Sequence, residues 1–172
     1  HSSRGEVPSP MQLTSESIHI EQDLIKENVG CQDQVMAAFG GLNKIKFNQD
    51  GSLGIDPISL EADQNAKLQA NLMLVFTGIM RRASEVAGAQ IEATGRGDLS
   101  DRLKTMHEMV DEGARILSSG SDLDDFGSLL HEGWQLKRSL TPAISNGEID
   151  DLYQGLRDCG AIGGKLTGAG GG

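Results

Sequence analysis

Apolar residues recur at helical spacing through the second half of the chain, and alternate with polar ones over a short stretch near residue 50. Between Ser100 and Leu117, the residues Leu103, Met106, Val110, Ala114 and Leu117 fall three or four apart and share one helical face. Ser121 to Leu140 repeats the pattern with Phe126, Leu129, Leu130 and Trp134. Ser121 and Asp124 make a capping-box-like pair at its start, and Pro142 blocks its continuation. A last helix is expected over about Gly147 to Cys159, with Ile149, Leu152, Tyr153 and Leu156 apolar and Gly160 as the stop.

The first half reads differently. Residues 1–10 carry two prolines and no periodicity, the mark of a loop. A helix is expected over about Met11 to Asn28, ended by Gly30, and a short one over about Cys31 to Phe39, ended by Gly40-Gly41. Lys44-Ile45-Lys46-Phe47 alternates, Asn48-Gln49-Asp50-Gly51 turns, and Ser52 to Ile58 returns, which predicts a hairpin. Asn71-Leu72-Met73-Leu74-Val75-Phe76 is a continuous apolar run before Thr77-Gly78 and predicts a strand covered on both faces. A further helix is expected over Arg81 to Ala93. No segment repeats another. Strands first and helices later predict an α+β chain, with helices on one side of a sheet.

Composition narrows the class. The 172 residues suit one ordinary domain or two small ones. With 37% hydrophobic residues and 3% aromatic, a core of Leu, Ile, Val, Met and Ala is expected. The net charge of −10, with no basic block longer than Arg81-Arg82, argues against nucleic acid and against anionic membrane surfaces as partners. No apolar run has the length to span a bilayer. Cys31 and Cys159 have neither metal-ligand spacing nor the makings of a disulfide framework. No signal-peptide h-region opens the chain, so a cytoplasmic setting is the default. The first residue is His1 rather than Met, so the sequence reads as processed, cloned or cut from something longer.

Several positions carry candidate chemistry. On a helical wheel Glu21 lies between two apolar edges, Ile20, Leu13 and Leu24 on one side and Ile25, Ile18 and Val29 on the other, in line with Thr14, Ser17 and Asn28. A carboxylate there is costly unless it binds a metal, joins a polar network or reaches water along a groove. Asp33 falls in the first turn of the second helix, which suits either the helix dipole alone or a general base facing a hydroxyl. Arg81 and Arg82 follow Thr77-Gly78 at the end of the apolar run, where ligands often sit in α/β layers. Lys165-Leu166-Thr167-Gly168-Ala169-Gly170-Gly171-Gly172 reads either as an anion-binding nest of backbone N–H groups or as a glycine-rich tail. His19, His107 and His131 read as ordinary helical histidines, and Trp134 as core.

Three segments together resemble the GHMP kinases, the small-molecule kinases named for galactokinase, homoserine kinase, mevalonate kinase and phosphomevalonate kinase. The first is Ile20-Glu21-Gln22-Asp23-Leu24-Ile25 with Val29-Gly30-Cys31-Gln32-Asp33-Gln34 and Ala37-Ala38-Phe39-Gly40-Gly41-Leu42-Asn43. The second is Val75-Phe76-Thr77-Gly78-Ile79-Met80-Arg81-Arg82-Ala83-Ser84, and the third is Gly164 to Gly172. The resemblance runs from about residue 11 to 172, and its first two segments look most like the heptose 7-phosphate kinase branch.

The resemblance implies a two-domain fold: residues 1–66 as the end of the N-terminal nucleotide-binding domain, and residues 67–172 as a helix-rich C-terminal domain with a small antiparallel sheet. It implies ATP and Mg2+ as cofactors and a sugar phosphate as substrate, with a homodimer as a candidate assembly. By the same resemblance Asp33 matches the catalytic aspartate and Glu21 the magnesium ligand. Gln32, Thr77, Gly78 and Arg81 fall where sugar or phosphate is contacted, and Gly168, Ala169, Gly170 and Gly171 line the phosphate site. The family's first motif and its phosphate-wrapping second motif are not found in this sequence, nor is the strand that follows the third motif. The expectation is therefore a C-terminal portion, inactive alone. Its alternatives are a fucose- or galactose-type kinase, or a non-catalytic sugar-phosphate-binding fragment.

Overall fold

Ser9 opens the first helix: its side chain accepts from the Gln12 backbone N–H at 3.2 Å, and Pro10 occupies the first helical position, where its missing N–H costs nothing. In this computed structural model, residues 5, 7–27, 29–79, 94 and 99–168 are described. Arg81, Ala169, Gly170 and Gly171, and with them the helix expected over Arg81 to Ala93, lie outside the described residues. The chain divides into two units, His1–Pro57 and Ile58–Gly172.

In the first unit α1 spans Pro10–Ile18 and continues into a π-helical turn, His19–Leu24. The Ile25 N–H reaches back five residues to the Ile20 carbonyl at 2.9 Å. The helix then ends at Lys26, whose φ of +62° turns the chain out of the helix, four residues before the glycine expected to do so. α2 spans Gln32–Phe39, stops at Gly40 as expected, and packs against α1. Thr14 and Val35 are fully buried.

The expected apolar arc of the first helix is a correction. Leu13, Ile20, Leu24 and Ile25 are all exposed, while Thr14 is buried and Ser17 and Glu21 are half-buried. A π turn inserts one extra residue, which rotates everything after it by roughly 100° relative to a regular wheel. The polar line Thr14–Ser17–Glu21 therefore takes the inner position.

The hairpin forms as read. β1 (Asn43–Phe47) and β2 (Leu53–Pro57) pair antiparallel, with Ile45 opposite Ile55 and Phe47 opposite Leu53. Asp50 holds the turn by accepting from the Ser52 N–H at 2.9 Å and its hydroxyl at 2.6 Å. These bonds also hold the Asp50 carboxyl below the usual carboxylate range.

The second unit is helical. α3 (Ala62–Ala70), which the apolar pattern does not announce, is opened by a reciprocal capping box between Glu61 and Gln64. α4 (Ser100–Ser119), α5 (Leu123–Arg138) and α6 (Gly147–Asp158) match the expected helices. The cap of α5 is Asp122 rather than Ser121, with Asp122 accepting from the Asp124 N–H at 3.2 Å. α4 and α5 pack together, and Leu99, Trp134, Leu140, Ile144 and Ile149 form the buried core, flanked by Leu103, Met106, Tyr153 and Leu166. Arg138 at the end of α5 pairs with Asp150 in the first turn of α6 at 2.7 Å, and the Ser145 hydroxyl donates to the same carboxylate at 2.6 Å.

The strand expected over Asn71 to Phe76 is absent. That stretch is irregular, with Leu74 89% and Phe76 81% exposed. An apolar run becomes a strand only where a neighbour accepts its ladder hydrogen bonds, and the sheet among the described residues is the β1–β2 hairpin of the other unit. No helix among the described residues is long and apolar enough to cross a membrane.

Candidate functional site

In the first unit the residues of interest meet where the π turn faces α2. Glu21 stands in the π turn, half-buried, and accepts a hydrogen bond from the Gln34 side-chain amide. π turns interrupt a regular helix at a cost and are frequent at functional positions. Gln34 is the neighbour of Asp33, which is exposed in the first turn of α2 beside exposed Gln32. Gln22 ties the intervening loop down: its amide donates to the Val29 carbonyl at 2.9 Å and to Cys31 Sγ at 3.3 Å. Glu21, Gln34 and the start of α2 thus form one polar patch, with Asp33 carried outward on the same turn. The chemistry of such a patch is a carboxylate held in fixed orientation next to an accessible carboxylate at a helix N-terminus, where the dipole favours negative charge.

The second unit holds the glycine-rich segment, and long side chains from two helices fasten it. Arg157 of α6 donates through Nη1 to the Ala161 carbonyl at 2.6 Å and to the Ile162 carbonyl. Tyr153 reaches the Gly164 backbone, and its hydroxyl lies 2.6 Å from His131 Nδ1 with the two rings stacked. With the phenol oxygen accepting from Gly164 N–H, its own hydrogen points at Nδ1, which leaves the imidazole hydrogen on Nε2. Burial pushes the Tyr153 phenol above its ordinary value, so it stays a neutral donor. Lys137 of α5 donates to the Gly168 carbonyl at 2.6 Å, at the residue whose φ of +73° begins the glycine run.

The closest approach lies at Gly163. A Cβ there would stand 1.8 Å from the Gly127 carbonyl oxygen and 2.9 Å from the His131 nitrogen, so only glycine lets the segment lie on α5. Gly163→Ala is expected to cost about 1–3 kcal/mol through forced separation of segment and helix. Urea denaturation of this variant beside Gly164→Ala checks it, because a Cβ at Gly164 meets only Tyr153 at 3.7 Å.

A cavity of about 610 Å³ lies against this segment, bounded by α5, α6, Leu72–Val75, Thr77 and residues 160–167. Thr77 turns the chain at its edge, accepting from the Ile79 N–H at 3.2 Å, and Gly78 takes a φ of +76°. Thr77, Gly78 and Gly168 therefore belong to the second unit, and Glu21, Gln32 and Asp33 to the first. Sequence reasoning missed Gln34, Lys137, Tyr153 and Arg157; their roles arise from contacts 4 to 31 residues apart in the chain, which no local pattern signals. Among the described residues no three His, Cys, Asp or Glu side chains gather as a metal cage. A divalent cation at Glu21 would thus rest on one carboxylate, water and a ligand's phosphate oxygens, which is how Mg2+ is commonly held.

Comparison with known proteins gives this arrangement its class. Residues 106–172 match the family described as GHMP kinases C terminal, which places this part of the chain in the GHMP kinase family. The chain is 30% identical over 147 residues to D-glycero-alpha-D-manno-heptose 7-phosphate kinase of Campylobacter jejuni, covering 83% of this chain and 42% of that protein. It is 28% identical over 158 residues to a bifunctional fucokinase/GDP-fucose pyrophosphorylase of Arabidopsis thaliana, covering 88% of this chain and 14% of that protein. The chain thus spans less than half the length of either relative.

Proposed function

We propose that this chain is part of an ATP-dependent sugar kinase that transfers the γ-phosphoryl group to a hydroxyl of a sugar phosphate, namely D-glycero-D-manno-heptose 7-phosphate. The observation that carries the reading is the similarity to a heptose 7-phosphate kinase across 83% of the chain. The polar patch supports it. Asp33, exposed at the start of α2, receives the substrate hydroxyl and orients it or takes its proton. Glu21 is the carboxylate for Mg2+, its orientation fixed by Gln34. When bound, Mg2+ neutralises charge on the phosphates, since phosphoryl transfer depends mainly on positioning and electrostatics.

Gly168, Ala169, Gly170 and Gly171 present backbone N–H groups to phosphate, and Lys137 sets the carbonyl at the first of them. Gln32, Thr77, Gly78 and Arg81 contact the sugar or its phosphate. ATP and a sugar phosphate are cytoplasmic metabolites, which puts the activity there. A substrate panel on the full-length protein tests the assignment: heptose 7-phosphate is expected to be phosphorylated with a kcat/KM at least 100-fold above fucose or galactose. Preference for an unphosphorylated sugar would move it to the fucose- or galactose-type reading.

A further inference from the structure

Gln34 is more than 90% buried, and its amide nitrogen is committed to Glu21. The opposite orientation is closed to it, because an amide oxygen facing a carboxylate would repel. Its Oε1 is consequently turned away from Glu21, buried, and without a hydrogen-bond partner among the described residues. Thr14 repeats the anomaly. It lies seven residues before Glu21 on the same polar line, is 0% exposed, and its Oγ1 also has no partner among the described residues. A helical threonine ordinarily satisfies itself on the carbonyl four residues back. Each unmet buried polar atom costs about 1–3 kcal/mol, so two beside one oriented carboxylate need an explanation.

We infer that Gln34 is a positioning residue for a hydrated divalent cation at Glu21, and that Gln34 Oε1 and Thr14 Oγ1 accept hydrogen bonds from its bound water. This rests on the sugar-kinase reading for the identity of the cation and adds to it two residues that the kinase chemistry itself does not name. The physical fit is specific. Mg2+ dehydrates reluctantly and keeps several waters when few carboxylates are present. Those waters are strong donors, and two buried acceptors with nothing to accept are the complement. Outer-sphere partners of this kind orient the ligand itself and typically change metal affinity by about 10–100-fold when removed.

The test is Mn2+ binding to the full-length protein, read by electron paramagnetic resonance, with no turnover required. Gln34→Leu is expected to weaken Mn2+ about 10–100-fold. Thr14→Val, nearly isosteric, is expected to weaken it by a smaller factor while leaving the metal-free melting temperature equal or higher, because it removes an unmet buried hydroxyl. Unchanged Mn2+ affinity in both variants overturns the inference, and if Gln34→Leu fails to fold, Thr14→Val alone decides it. Glu21→Gln separates the two levels: if it leaves Mn2+ affinity unchanged, the metal assignment of the kinase reading has failed. If it abolishes binding while the Gln34 and Thr14 variants bind normally, only the present inference has.

Discussion

Asp33→Asn in the full-length protein is expected to lower kcat by about 10²–10⁴-fold with little change in stability. The separation between the two effects follows from where Asp33 sits. Its side chain is exposed in the first turn of α2, so nothing in the packing of the first unit depends on its charge. Asparagine keeps the size and the hydrogen-bonding capacity of the side chain, and the lost dipole interaction is worth about 0.3–1 kcal/mol. Removing the proton acceptor leaves positioning and charge neutralisation in place but takes away the group that readies the hydroxyl. Steady-state kinetics beside a melting curve checks both halves. A kcat within threefold of wild type would remove Asp33 from the chemistry.

Trp134→Ala is expected to cost the second unit about 3–5 kcal/mol. Trp134 is 1% exposed, sits at the centre of the cluster of Leu99, Leu140, Ile144 and Ile149, and lies against Tyr153 with ring centroids 6.2 Å apart. Alanine leaves a void lined by residues from three helices and their connections, and those elements are held by one another. The indole N–H, however, is buried with no partner among the described residues. Trp134→Phe keeps much of the volume and removes that unmet donor, so its expected cost is under about 1.5 kcal/mol. Trp134 is the chain's one tryptophan, so urea unfolding is followed by circular dichroism rather than fluorescence. Equal losses in the two variants would show that the indole ring, not the filled volume, holds the core.

Much of the architecture was legible because it is local. Period-two alternation around Asp50-Gly51 marked the β1–β2 hairpin, and three-and-four spacing marked α4, α5 and α6. Residues such as Trp134 and Ile149, placed on apolar faces by spacing alone, are in the core. α3 escaped notice because Leu68 is its single buried residue; its signal was the Glu61–Gln64 capping box. The run at 71–76 was read as a strand because hydrophobicity says nothing about who supplies the ladder. The first helix misled for another reason. A regular wheel assumes one rotation per residue, and the π turn at His19–Leu24 breaks that rule within the residues that matter. The odd position of Glu21 was visible, yet its partner Gln34 stands 13 residues away across a loop. The fastening of the glycine segment by Lys137, Tyr153 and Arg157 was equally beyond local pattern.

The central claim is phosphoryl transfer to a sugar phosphate, and label transfer measures it directly. The full-length protein, incubated with γ-labelled ATP, Mg2+ and D-glycero-D-manno-heptose 7-phosphate, is expected to yield a labelled sugar carrying two phosphates, with the label lost in Asp33→Asn. Binding of the heptose phosphate with no label on the sugar would contradict the account and leave a sugar-phosphate-binding protein in its place.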